Sequence, residues 1–194
     1  MEVKNLSYTH NQKKIFSNIS FNTADNPLIV IEGKNGTGKS TLLKVLLGIR
    51  KIQSGQVISD ESIGYVPDSS ETYFVGMSPQ VLFHFLKRQF AISEAVFEKR
   101  LSDLIKRFNF SESLMSKTIQ NLSLGEKKKV MLISAFLIEP KLFVMDEPFS
   151  GLDENSLKEL SILITDSLKQ GKVFIIVTHG YDELLPSQKQ MIYL

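Results

Sequence analysis

The sequence predicts an α/β fold: a parallel sheet core with a small N-terminal antiparallel β layer and an inserted helical subdomain. Three observations carry this reading. Four short apolar runs, at residues 28–31, 63–66, 142–145 and 173–177, have the length and composition of buried strands. Helical patterns separate them, which is the alternation that a parallel sheet requires. The first run also leads into a glycine-rich turn followed by Leu42, Leu43, Val45 and Leu46, so strand, turn and helix succeed one another.

The elements can be justified in order. Residues 2–8 and 15–21 carry short alternating patterns joined by polar residues, as hairpin strands do. After the run 28–31 come Gly33, Lys34, Asn35, Gly36, Thr37, Gly38, Lys39, Ser40 and Thr41, which satisfy G-x-x-x-x-G-K-[ST]. The glycines let the backbone turn tightly and aim successive N–H groups at one point, and the helix beginning near Gly38 adds its positive end. Such a loop is built to hold the phosphates of ATP or GTP: Lys39 reaches the β- and γ-phosphates and Ser40 supplies a hydroxyl to Mg²⁺. The core is thereby predicted to be of the P-loop NTPase (RecA-like) kind.

Between Asp68 and Leu122 no strand-like run occurs. Ser78-Pro79 opens one helix there, and Ser93 opens another with Phe97, Leu101, Leu104, Ile105 and Phe108 at helical spacing. Residues 69–118 therefore read as a helical subdomain inserted into one domain, whose nucleotide-binding core is 1–68 plus 119–194. A long helix follows with Ser123 at its N-cap and Val130, Ile133, Phe136 and Leu137 on its buried side. Lys127-Lys128-Lys129 on that helix reads as a solvated face. The apolar strand 142–145 then runs into Asp146 and Glu147, at the end of a strand where α/β sheets bind ligands. Asp146 is expected to orient Mg²⁺ and Glu147 to polarise the attacking water as general base.

Composition removes several classes. With 194 residues, 42% hydrophobic and 23% charged, the chain can bury a core without staples. Its 23 basic and 21 acidic residues leave a net charge of +2, so no global field points to nucleic acid or an anionic membrane. Cysteine is absent, which excludes disulfides and Cys-ligated zinc. The polar start Met1-Glu2-Val3-Lys4 is unlike a secretory signal, and the longest apolar stretch, 130–138, is too short to span a bilayer. Work at a membrane would require a partner that brings the chain there.

Taken together, the phosphate loop 33–41, Asp68, the segment 122–126, the strand 142–147, Ser150-Gly151-Leu152-Asp153 and His179 after the run 173–177 occur in the order found in ABC cassettes. The chain resembles the nucleotide-binding domain of ATP-binding cassette (ABC) transporters along essentially its whole length. That resemblance implies a head-to-tail dimer, with itself or with a second ATPase subunit, in which the loop of one subunit and the signature of the other enclose each ATP. It also implies a separately encoded transmembrane subunit, and hence a place on the inner face of the cell membrane. Ser123, Leu124, Gly125 and Glu126 would form the signature acting in trans, Asp153 the loop at the dimer interface, and His179 the γ-phosphate contact that helps place the water. The adenine-stacking position falls on His10 or on Tyr8.

The sequence departs from that pattern at two places. Asp68 stands where the family usually has Gln; a carboxylate can ligate Mg²⁺ but adds negative charge beside the γ-phosphate. Leu124 and Glu126 replace the first Gly and the Gln of the signature. Both departures are read as pointing to an export system for drugs, peptides or haem. The chain ends soon after Met191-Ile192-Tyr193-Leu194, as a minimal cassette would. The rival reading is a soluble ABC-type ATPase acting on nucleic acid or ribosomes, but one cassette, no heptad run and near-neutral charge make a nucleic-acid partner unexpected. A phosphotransferring kinase would leave the signature and His179 without a role.

Overall fold

A computed structural model describes residues 1–68, 74 and 76–194. Five strands form a wholly parallel sheet in the order β5 (Ile63–Val66), β6 (Leu142–Asp146), β7 (Val173–Val177), β3 (Leu28–Glu32), β8 (Gln190–Tyr193). A second, antiparallel sheet is built from β2 (Lys13–Asn22), β1 (Glu2–His10) and β4 (Ser54–Ile58). The described residues also form the α-helices α1 (Lys39–Leu46), α2 (Pro79–Gln89), α3 (Glu94–Arg107), α4 (Leu124–Leu137) and α5 (Glu154–Lys169), with short 3-10 turns at Glu112–Leu114, Ile119–Asn121 and Asp182–Leu184.

The central strands are continuous apolar runs because both of their faces are covered. Leu28, Val30, Phe143, Met145, Phe174 and Ile176 point into a core shared with α3, α4 and α5. Their neighbours Ile29, Ile31, Leu142, Val144, Ile175 and Val177 point the other way, into a core with α1 and the antiparallel sheet. Alternation along a strand thus divides one run between two cores. On the first face Phe143 and Phe174 stack with ring centroids 4.6 Å apart.

The expected helices form where their punctuation lies. Ser78 accepts from the Val81 N–H with Pro79 in the first turn, and α3 buries Phe97, Leu101 and Leu104 against α4. Two strands are additions to the sequence reading. In β4 only Val57 is half-buried, and in β8 only Ile192 is buried, so neither has the run or the alternation that marks a strand. A third difference corrects the solvated reading of the lysine run. Lys128 has no exposed surface. Four and seven residues on from it stand Leu132 and Ala135, also buried, because α4 is packed on nearly every side.

Among the described residues no helix is long and apolar enough to cross a membrane.

Candidate active site

Parallel neighbours end on the same edge of a sheet, so the loops that leave β5, β6, β7 and β3 stand side by side. Asp68 follows β5, Asp146 ends β6 and Glu147 follows it, His179 follows β7, and the phosphate loop follows β3. A cavity of about 310 Å³ lies there, lined by Ile15, Asn35, Gly36, Gly38, Lys39, Ser40, Thr41, Asp68, Asp146 and Glu147. The sheet order has brought Asn35 and Glu147, 112 positions apart, to one volume.

The phosphate loop is shaped for close approach. Gly38 is the N-cap of α1 with φ +106°, a conformation costly to any side chain, and a Cβ there would stand 2.1 Å from Ile15 Cγ2. No side chain caps α1, so its first N–H groups are offered to an anion. The Lys39 ammonium is turned back onto the Gly33 carbonyl at 2.7 Å and the Lys34 carbonyl at 3.2 Å, which holds the loop closed around its own cation. Thr37 Oγ1 donates to the Lys34 carbonyl at 2.9 Å. Loop donors, the Ser40 hydroxyl and the carboxylates of Asp68 and Asp146 face the same volume, a donor set that fits a magnesium-bound phosphate chain.

Glu147 has φ +47°, a strained backbone for a residue with a side chain. Its N–H donates to the Val177 carbonyl at 2.9 Å, across to the end of β7. Burial raises the Glu147 carboxyl above its ordinary value, the Lys39 charge pulls it down, Asp146 pushes it up, and the His179 backbone N–H holds it down. A carboxylate raised in this way is a better proton acceptor near neutral pH. The His179 side chain is exposed and stands outside the cavity lining.

Lys128 reaches this edge from below. Its ammonium donates to the Pro67 carbonyl at 2.9 Å and to the Asp146 carbonyl at 3.0 Å. Burial pushes it down to about 8, while Asp68, Asp146 and Glu147 pull it up. Sequence reasoning missed both Lys128 and Ile15; the stripe Lys128, Leu132, Ala135 was the available signal for the first.

The signature turn lies on the same helix as Lys128. Ser123 Oγ accepts from the Glu126 N–H at 3.3 Å and a Glu126 carboxylate oxygen accepts from the Ser123 N–H at 2.7 Å, a complete capping box. Leu124 is 58% exposed. A Cβ at Gly125 would stand 2.5 Å from the Gly151 carbonyl, so the turn touches the loop after β6. Asp153 caps α5 through the Ser156 N–H and pairs with Lys129 at 2.5 Å, contacts made within one chain. Neither adenine candidate lines the cavity: Tyr8 lies against Phe16 with Arg50 near its hydroxyl, and His10 is exposed at the end of β1.

A parallel sheet with this loop at its edge defines a nucleotide triphosphatase, and comparison with known proteins gives the family. The ABC transporter family matches residues 16–150. The zinc import ATP-binding protein ZnuC of Pasteurella multocida is 33% identical over 99% of this chain and 72% of its own length. The energy-coupling factor transporter ATP-binding protein EcfA2 of Streptococcus agalactiae is 29% identical over 95% of this chain and 74% of its own. A solved ATP-binding subunit of an ABC transporter superposes with a TM-score of 0.84 at 27% identity, covering all of this chain and 85% of that one. The chain belongs to the ABC transporter family, as an ATP-binding, ATP-hydrolysing subunit that uses ATP with Mg²⁺. These relatives give no support to an export direction, and they do not favour the nucleic-acid alternative.

Proposed function

We propose that this chain energises a membrane transporter by closing, on ATP, into a head-to-tail dimer seated on a separately encoded transmembrane subunit at the inner face of the cell membrane. The carrying observation is the single cavity that joins the phosphate loop to Asp146 and Glu147. In this reading Lys39 leaves its loop carbonyls for the β- and γ-phosphates, and the loop N–H groups hold the chain of phosphates. Ser40, Asp146 and Asp68 would hold Mg²⁺, which would supply charge neutralisation to the phosphate chain. Glu147 takes the proton from the attacking water, and its raised carboxyl suits the task. His179 turns inward on the γ-phosphate, and His10 or Tyr8 meets the adenine.

Ser123 and the Gly125 N–H would meet the γ-phosphate of the other subunit, Glu126 its ribose, with Leu124 against the facing chain and Asp153 at the interface. Exposed Leu124 supports that placement, since a large apolar side chain at a helix start gains from being covered. The membrane subunit is placed over the helical insertion 69–118, where Val81 and Phe85 on α2 are 52% and 49% exposed and Phe74 is also open. Residues 69–73 and 75, part of the expected contact around 67–77, lie outside the described residues. Import is the direction proposed, with a transition-metal ion as the first cargo to test, because a relative that matches 99% of this chain is named for zinc import.

The test is light scattering of Glu147→Gln with and without Mg-ATP. A shift from monomer to dimer on ATP is expected; a variant that binds ATP and stays monomeric with itself and with every candidate second ATPase subunit overturns the dimer mechanism.

A further inference from the structure

Lys128 is the one charged side chain of the described residues with no exposed surface. It projects from the second turn of α4 and spends two of its donors on main-chain carbonyls of two different strand ends, Pro67 after β5 and Asp146 at the end of β6. The last ladder pair between those strands is Val66 with Met145. Beyond it Pro67 has no N–H to continue the ladder, and the Glu147 N–H has turned away to Val177. An ammonium therefore takes over where the sheet's own hydrogen bonding stops. It does so directly beneath the loop that delivers Asp68 and the strand end that delivers Asp146 and Glu147, three carboxylates whose charges act on it.

We propose that Lys128 is a positioning residue of the ATPase site: its ammonium pins the Asp68 loop to the end of β6 and offsets the negative charge that Asp68 brings where the family usually carries an amide. A buried lysine at a junction with no carboxylate surplus would be an isolated charge, which interiors do not tolerate without compensation. Conversely, three carboxylates converging on one Mg²⁺-phosphate site repel one another and the γ-phosphate unless a fixed cation stands behind them. Asp68 and Lys128 thus form a unit in which each makes the other acceptable. Lys128 touches backbone, not nucleotide, so its effect on turnover passes through the placement of Asp68, Asp146 and Glu147. The nearby basic groups do not duplicate it: Lys39 lies on the phosphate side, and Lys129 is paired with Asp153.

The inference rests on the chain being an ATPase, and a double-mutant cycle keeps the two separable. Asp68→Gln, Lys128→Gln and the combined variant are compared with the parent in full-length protein, by unfolding midpoint without nucleotide, by affinity for a non-hydrolysable ATP analogue, and by kcat and KM for Mg-ATP. Lys128→Gln is expected to lower kcat about tenfold or more, with analogue affinity and KM within about threefold, because the phosphate loop is untouched. Asp68→Gln alone is expected to lower the unfolding midpoint by leaving the ammonium undercompensated. The double variant is expected to recover most of both losses. Additive effects, with the double variant no better than Lys128→Gln in midpoint or in kcat, would overturn the proposal. If Lys128→Gln alone does not fold, a folded double variant supports the coupling and an unfolded one refutes it. A parent that binds the analogue without hydrolysing ATP counts against the ATPase reading, and the nucleotide-free midpoints still decide the charge coupling.

Discussion

Two helix starts in this molecule carry motif residues, the phosphate loop at α1 and the signature at α4, and they are built in opposite ways. Helix α1 begins at Gly38 with no side-chain cap and no acidic residue in its first turn, so its positive end stays open. Helix α4 begins at Ser123 with both halves of a capping box closed and the acid Glu126 in its first turn. The first is an anion site in the isolated chain. The second spends the Ser123 and Glu126 N–H groups on its own cap, and the Gly125 N–H and the Ser123 hydroxyl proton lie outside that box. The cap therefore holds the signature turn in shape without a ligand, whereas the phosphate loop has to exchange two carbonyls for phosphate oxygens at Lys39. An open start is completed by its ligand; a capped one is already completed by its own side chains.

The largest effect expected from breaking this contrast is at the open start. Lys39→Ala should lower ATPase turnover by about a thousandfold or more, since the cation of the phosphate clamp is lost at the centre of charge development. Radiolabelled phosphate release measures it, and unchanged turnover would remove the loop from the mechanism. Next, Gly38→Ala forces a Cβ into Ile15 at a backbone angle reserved for glycine, and should destabilise the protein by about 2–3 kcal/mol in chemical denaturation. Pairing it with Ile15→Ala should return part of that loss, because only the steric share is relieved.

At the closed start, Ser123→Ala should cost about 1 kcal/mol of stability in the nucleotide-free chain, the ordinary worth of an N-cap. The same denaturation series should show no such cap contribution at α1. The smallest effect is in acid. Asp153 is held down to about 2 by Lys129 and the Ser156 N–H, and Glu126 is held below its ordinary value by the Ser123 backbone and hydroxyl. A carboxyl with a folded value below its unfolded one adds stability above the unfolded value, near 4, and loses it as pH falls toward the folded value. Stability measured from pH 5 down to 2 should therefore fall less steeply in Asp153→Asn than in the parent, and an unchanged slope would show the Lys129 pair to be fully screened.

How much of this was legible beforehand follows from the kind of signal each residue leaves. The phosphate loop, the Asp146-Glu147 strand end and the Ser123 cap are local: glycine spacing, an apolar run and a capping residue announce them within ten positions. β4 and β8 left no signal because edge strands bury one side chain or none and have no run to read. Lys128 was misread because charge outweighs periodicity in a sequence, although a helix packed on nearly every side leaves no solvated face to assign. The gathering of Asp68, Asp146, Glu147 and the phosphate loop depends on strand order, which no single segment encodes. The sequence leaves the stacking position to His10 or Tyr8; the structure packs Tyr8 on Phe16 beside Arg50 and leaves His10 exposed.

The close approach of Gly125 to Gly151 acquires a further meaning beside the Lys129–Asp153 pair. A hinge needs a single axis, and one attachment between two segments provides it. Here the start of α4 and the loop after β6 are fastened at two points a helical turn apart, one by backbone contact and one by charge. Two fastenings stiffen such a joint more than one does. The signature turn and the Ser150–Asp153 loop are thereby tied within one chain, and cutting the Lys129–Asp153 pair would leave the Gly125–Gly151 approach as the remaining one of the two.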